Sequence, residues 1–331
     1  MKNERRASFS DPTGRFNKIN DLYSVQNNLA FFKGYDKDSG LEITWCEIFT
    51  SSLNNEQKDN LQKIATTIQS FRLNTLLSVF YFWYNADRSI FTVITESSNS
   101  KSVLDQIKHG SQPIHIRAVS KWAGAVLQAL DYLHTQNPPF IHGRTELSSI
   151  FVKPSSGTVK LLAPMINPTF LKTGSNVLWA RYSTPPEALF NQVCTASDIW
   201  SFGIAVLYSV TNNEPYSECE SPFELIQKLS SFKPPASLSF VTQPVLHDFI
   251  SKCLLPTKDR PSAKELLNHQ FFQLKFTDTP SLGQQNGIEV LFTKKKGISP
   301  SGSSVYDSNE SLLSLTKNSQ YSVSTPFLFD K

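Results

Sequence analysis

Few sets of residues in this chain have the types and spacing that chemistry needs. Thiols could hold a soft metal or act as nucleophiles, yet Cys46, Cys194, Cys219 and Cys253 lie far apart, with no CxxC pair and no zinc-like spacing. The sequence therefore predicts neither a metal site nor a disulfide framework. Cys46 is expected to be a small core residue rather than a reactive thiol. Arg5-Arg6-Ala7-Ser8 sets two cations just before a hydroxyl, a string suited to a kinase that reads basic residues, so Ser8 is a candidate phosphorylation site. Lys294-Lys-Lys296 is too short for a localisation signal and reads as a solvated linker. The remaining polar string of interest is His142-Gly-Arg144, with Glu146 the one acid close by.

A scaffold must position these groups. The 331 residues allow one large domain or two modest ones, and a 39% hydrophobic fraction with 24 Phe supplies a sizeable core. Charged residues make up 18%, below the roughly 25% of an average soluble chain, which argues against a disordered polyelectrolyte. The net charge of +4 comes without the basic stripe that nucleic acid or an anionic membrane would need. No run of about 18 apolar residues occurs, so no membrane insertion is expected. The polar N-terminus lacks the apolar segment of a secretory signal. The expected compartment is the cytoplasm.

Residues 1–14 are polar, carry Pro12 and Gly14, and read as a flexible leader. Apolar runs at Leu29–Phe32 and Leu41–Ile48 flank the turn string Asp36-Lys-Asp-Ser-Gly40, which predicts a hairpin. Over 56–72, Leu61, Ile64, Ile68 and Phe71 recur at spacings of three and four, which predicts an amphipathic helix. Strands are expected at Leu76–Tyr84 and Ile90–Thr95, around Asn85-Ala-Asp-Arg88. From about Val103 the pattern turns helical, with a long stripe from Val119 to Leu133 that ends before Pro138-Pro139. A small hairpin joins Ile150–Val152 to Val159–Leu161, and helical patterns follow over 197–210, 222–231, 244–254 and 261–269. The organisation is α+β: a small antiparallel-sheet lobe with one helix at about 15–96, then a larger helical lobe at about 97–275. A short extension, 276–293, holds one candidate strand at Asn286–Phe292, and the Ser-rich residues 294–331 read as a disordered tail.

Several strings then converge in order. Tyr132-Leu-His-Thr135 precedes Pro138-Pro-Phe-Ile-His-Gly143, the small hairpin, Pro185-Pro-Glu187, Ser197-Asp-Ile-Trp-Ser-Phe-Gly203 and Lys258-Asp-Arg260-Pro. Together they resemble the C-lobe of a eukaryotic protein kinase, and the resemblance covers about residues 15–275. More narrowly, Thr44-Trp-Cys-Glu47, His134-Thr-Gln-Asn-Pro-Pro139 and Leu267-Asn-His-Gln-Phe-Phe272 resemble the with-no-lysine branch, which includes the nuclear receptor binding protein pseudokinases. A bilobal protein-kinase fold is what this resemblance implies.

Phosphoryl transfer in that fold needs a glycine loop over the phosphates, a lysine held by a helix glutamate, a catalytic Asp and two magnesium ligands. By the resemblance, every one of these positions is degenerate here. Residues 24–33 contain no glycine. Cys46 holds the lysine position, Leu29 the position from which the with-no-lysine branch supplies its cation, and Ile64 that of the helix glutamate. Lys33 shares the parity of Leu29 but lies four residues on. Arg144 replaces the catalytic carboxylate, Ser149 the magnesium-binding Asn, and Ala163 the Asp of the second magnesium motif. ATP and magnesium are accordingly not expected as cofactors. Any transfer would have to depend on Arg144, Glu146, Ser149 and Lys160.

The positions that match are architectural. Glu187 and Arg260 match a buried ion pair, Asp198 an aspartate that accepts amides of the catalytic loop, and His142 an imidazole in the hydrophobic spine. The resemblance therefore implies a pseudokinase acting as an adaptor or allosteric partner of other signalling proteins, an active kinase among them. The alternative is an atypical Ser/Thr kinase with residual ATP binding. The apolar string Thr325-Pro-Phe-Leu-Phe329 is a candidate anchor for a partner.

Overall fold

The computed structural model describes residues 9–26, 29–97, 101–110, 112–153, 156–164 and 182–274. The expectations for Ser8, Asn286–Phe292, the Ser-rich residues 294–331 and Thr325–Phe329 lie outside the described residues.

The first lobe is a six-stranded antiparallel sheet of β1 (Phe9–Ser10), β2 (Phe16–Gln26), β3 (Leu29–Asp36), β4 (Glu42–Phe49), β5 (Val79–Asn85) and β6 (Ile90–Glu96). The strand order is β1-β2-β3-β4-β6-β5. Residues 9–14, assigned to a flexible leader from sequence, are part of this lobe. Phe9 and Ser10 pair with Lys18 and Asn17, and the Asp11 carboxylate accepts the amides of Thr13 and Phe16 at 3.0 and 2.7 Å.

Helix α1 (Asn55–Ser70) starts where Asn54 and Gln57 cap each other, each side chain accepting the other's backbone N–H at 2.9 and 2.8 Å. Its buried face, Leu61, Ala65 and Ile68, packs on the inner sheet residues Leu29, Phe31, Cys46, Ile48, Phe91 and Val93. The expected strand at Leu76 begins later, at Val79. Residues 75–77 are instead taken by the second lobe, where Leu161 N–H donates to Thr75 O and Leu161 O accepts from Leu77 N–H, both at 2.8 Å.

The sheet's other face carries a core that periodicity alone did not announce. Phe16, Ala30, Phe32, Ile43, Trp45 and Ile94 cluster there, with Tyr81 and Trp83 packed against them. Lys18 and Glu47 form a buried ion pair at 2.7 Å beside this cluster, with the ammonium 3.4 Å from the Phe32 ring centre and the Trp45 indole N–H donating to Glu47 at 3.1 Å. Burial lowers the Lys18 pKa from its ordinary value, although Glu47 opposes the shift.

The second lobe contains α2 (Val103–His109), α3 (Ile116–His134), the hairpin β7 (Ile150–Val152) and β8 (Val159–Leu161), α4 (Thr195–Thr211), α5 (Pro222–Ser230), α6 (Pro244–Cys253) and α7 (Ala263–Leu267). Helix α4 is buried along nearly its whole length. It approaches α6 so closely that a Cβ at Gly203 would collide with the Cβ of Cys253. The last helix, Ala263–Leu267, is shorter than the 261–269 expected; Ser262 caps its start by accepting the Glu265 N–H at 3.2 Å.

Candidate functional site

The strongest organiser of the site is Asp198, buried in the first turn of α4. Its carboxylate accepts the backbone N–H of His142 at 2.8 Å, that of Gly143 at 2.6 Å and the His134 ring Nε2 at 2.9 Å. Gly143 reaches it with φ of 72°, a region that favours glycine. Thr145 Oγ1 donates to the Asp198 carbonyl at 2.7 Å. One buried acid thus holds the loop 142–145 against α4. The part played by His134 was not read from the sequence.

His142 lies in the core. Its Nδ1 accepts the Arg144 N–H at 3.1 Å and its Nε2–H donates to Leu162 O at 2.8 Å, a pattern that fits the neutral ring. Burial lowers its pKa below the ordinary value.

Arg144 turns within the loop. Its Nε donates to Glu146 Oε1 at 2.8 Å, and the two side chains are only 10% and 11% exposed. Glu146 also accepts Ser148 Oγ at 2.8 Å and Ser183 Oγ at 3.3 Å. Ser149 is buried, and its Oγ has no hydrogen-bond partner among the described residues. Ala163 contributes a buried methyl group. Lys160 does not join this group. Its Nζ bonds Glu96 at 3.0 Å and faces a separate cavity of about 730 Å³ that also touches Leu41, Phe80 and Phe151.

On the sheet side of the cleft, Cys46 is fully buried in the inner core, and burial raises its thiol pKa far above the ordinary value. Leu29 is buried in the same cluster, Ile64 packs at its margin, and Lys33 points to solvent. No cation and no carboxylate meet from these four positions.

Magnesium takes hard oxygen donors, usually including a carboxylate. Ser149 offers a single hydroxyl, Ala163 offers none, and Glu146 is already bonded to Arg144 and two serines. These residues do not fit the ion.

Glu187 and Arg260 lie in a further buried node. Arg260 donates to Glu187 through Nη1 at 2.7 Å and Nη2 at 3.3 Å, to Ala196 O at 2.6 Å and to Leu255 O at 2.9 Å. Ser197 Oγ adds a bond to Glu187 at 2.7 Å, and the guanidinium lies 5.1 Å from the Trp200 ring centre. Burial alone would raise the Glu187 pKa, but Arg260 and Ser197 outweigh it and the net shift is downward.

An antiparallel sheet with one helix, a helical lobe and a loop tied to α4 by a buried aspartate define the protein-kinase class of fold. Residues 30–272 match the protein kinase domain family, and the chain belongs to that family. Its relatives mark it as WNK-like. "Probable serine/threonine-protein kinase WNK5" of Oryza sativa subsp. japonica is 30% identical over 270 residues, covering 79% of this chain and 81% of that protein. "Probable serine/threonine-protein kinase WNK10" and "Serine/threonine-protein kinase WNK8", both of Arabidopsis thaliana, are 33% and 30% identical over 268 residues. The chain spans about half of those two, at 50% and 47% of their lengths. Among solved structures, Rad53 residues 1–466 in complex with AMP-PNP aligns with a TM-score of 0.66 at 18% identity, over 78% of this chain and 66% of that one. At that identity the likeness concerns the fold alone. No helix among the described residues is long and apolar enough to cross a membrane.

Proposed function

We propose that this chain is a catalytically inactive protein-kinase homologue, an adaptor or allosteric partner for other signalling proteins, including an active kinase. The observation that carries the reading is the Arg144–Glu146 pair. A cation stands where a carboxylate would have to accept the hydroxyl proton, and the nearest acid is engaged by it at 2.8 Å. Loss of a general base alone typically costs about 10²–10⁴ in rate. Here the sites for the ion-pairing lysine, its glutamate and the magnesium ligands are apolar or weakly polar as well. The buried supports built on Asp198 and Arg260 stay fully bonded, as expected of a chain whose role needs the fold but not the transfer.

The relatives are named as serine/threonine-protein kinases, which favours a second reading, an atypical kinase that retains ATP binding. The two are separated by comparing, in cells, the parent chain with a variant carrying Arg144→Gln, Glu146→Gln and Ser149→Ala. The adaptor reading expects partner recovery and cellular activity to persist in any variant that remains folded. Their selective loss, with the fold intact, would favour the enzyme.

A further inference from the structure

Helix α5 packs on the 3-10 turn Pro186–Phe190, and this part of the helical lobe presents large apolar side chains to solvent. Phe223, in the first turn of α5, is 75% exposed and Phe190 is 58% exposed, with Val193 exposed a few residues beyond. Among the other described phenylalanines of this lobe, all but the exposed Phe240 are buried in the core or packed against it, so Phe223 and Phe190 leave apolar area in water that the fold does not cover. Phe223 is also held in place: Ser221 Oγ accepts the Glu224 N–H at 3.2 Å, and Pro222 opens the helix.

The charge beside this apolar area is mainly negative. Glu220 N–H donates to Glu224 Oε2 at 2.9 Å, Glu218 bonds Lys228 at 3.0 Å, and Lys228 lies 4.0 Å from Glu224. One lysine therefore faces two carboxylates, Glu218 and Glu224, and Glu220 and Glu214 add exposed acids nearby in the chain. Burial would raise the Glu218 pKa, but the Ala236 N–H and Lys228 outweigh it and hold the carboxyl below its ordinary value. The whole chain carries +4, so this acidic cluster opposes the sign of the molecule.

We propose that this face docks a basic amphipathic peptide segment of another protein, with large apolar side chains seated against Phe223 and Phe190 and Lys or Arg side chains against Glu220 and Glu224. Apolar anchors would supply the affinity, and the carboxylates would select and orient the partner. A second copy presenting the same face would set carboxylate against carboxylate, so the occupant is not this face of another copy. The inference gives a location to the adaptor reading and rests on it for its meaning. Its test does not involve phosphoryl transfer, so the two can fail separately.

The test is a selection of displayed random dodecapeptides on the full-length chain, followed by binding of the enriched peptides, made synthetically, to the parent, Phe223→Ser and the double variant Glu220→Lys, Glu224→Lys. Enriched sequences should combine Lys or Arg with Leu, Ile, Phe or Trp. Each variant should bind them about tenfold or more weakly while remaining folded, with a small fall in melting temperature for the double variant because Glu224 bonds the Glu220 N–H and lies beside Lys228. Binding should also weaken as salt rises from about 50 to about 300 mM. No enrichment, an acidic consensus, or peptides that bind Phe223→Ser as tightly as the parent would overturn the proposal. So would self-association of the parent that Phe223→Ser abolishes.

Discussion

Arg144 Nε donates to Glu146 Oε1 at 2.8 Å, and the pair is almost shielded from water. Two residues of one short loop thereby pair with each other, at the position that the resemblance aligns with the catalytic carboxylate of a kinase. The loop is anchored beneath by Asp198, and on the inactive reading its position is kept while its chemistry is changed.

Reinstalling the acid should not restore the site. Arg144→Asp would put a carboxylate beside Glu146 and remove the charge that compensates it. Breaking a buried pair in this way typically costs about 3–5 kcal/mol. Replacing both residues together, as Arg144→Leu with Glu146→Leu, should cost much less than the sum of the single changes. Urea unfolding of the four chains measures this, and additive losses would mean that the pair is not coupled.

Arg260→Ala should destabilise the second lobe by about 3–5 kcal/mol, because it leaves Glu187 buried without its cation. Arg72→Ala is the control, an exposed residue whose guanidinium bonds the carbonyls of Gln69 and Phe71. Soluble yield and urea midpoint should separate the two clearly. Equal behaviour would contradict the buried node.

Acid should weaken the fold through His142. Its folded pKa lies below the ordinary 6.5 because the ring is buried. As pH falls through that value, the unfolded chain takes up a proton that the folded chain refuses. Stability contributed by the neutral ring is therefore present above about 6.5 and declines below it, by at most about 1.4 kcal/mol per pH unit. Urea midpoints at pH 7.5 and 5.5 should fall more for the parent than for His142→Gln. An equal fall in both chains would remove His142 as the cause.

Much of the fold could be read from local pattern. The Asp36–Gly40 turn lies between strands whose register runs from Tyr35↔Glu42 to Leu29↔Ile48. The helix around Leu61 and the hairpin Ile150–Leu161 likewise follow from spacing and turn residues. What local pattern missed depends on distant partners. Leu76 looks like strand, but Leu161, more than eighty residues away, claims the backbone on either side of it. Trp45 and the Lys18–Glu47 pair form a second core because strands far apart in sequence share one face. Within the site, the resemblance suggests which positions lack their usual residues but does not indicate how the residues present pair. Glu146 stands out in the sequence as the acid near Arg144, but only the fold shows the two as an ion pair. Lys160, grouped with the cleft by its place in the chain, bonds Glu96 instead.

Magnesium-ATP should leave the melting temperature unchanged. A ligand at ten times its dissociation constant adds about 1.4 kcal/mol, worth roughly 3–6 °C for a domain of this size. A reproducible rise of that order would show binding and support the atypical-kinase reading of the cleft. A rise with ATP alone would point to binding without the metal.

The most direct measurement is transfer itself: labelled γ-phosphate moved from saturating magnesium-ATP to protein substrates or to the chain, by purified full-length protein over several hours. The inactive reading predicts incorporation no higher than in a blank without the chain, for the parent and for Arg144→Ala alike. Incorporation above the blank that Arg144→Ala abolishes, while the variant remains folded at the assay temperature, would contradict it.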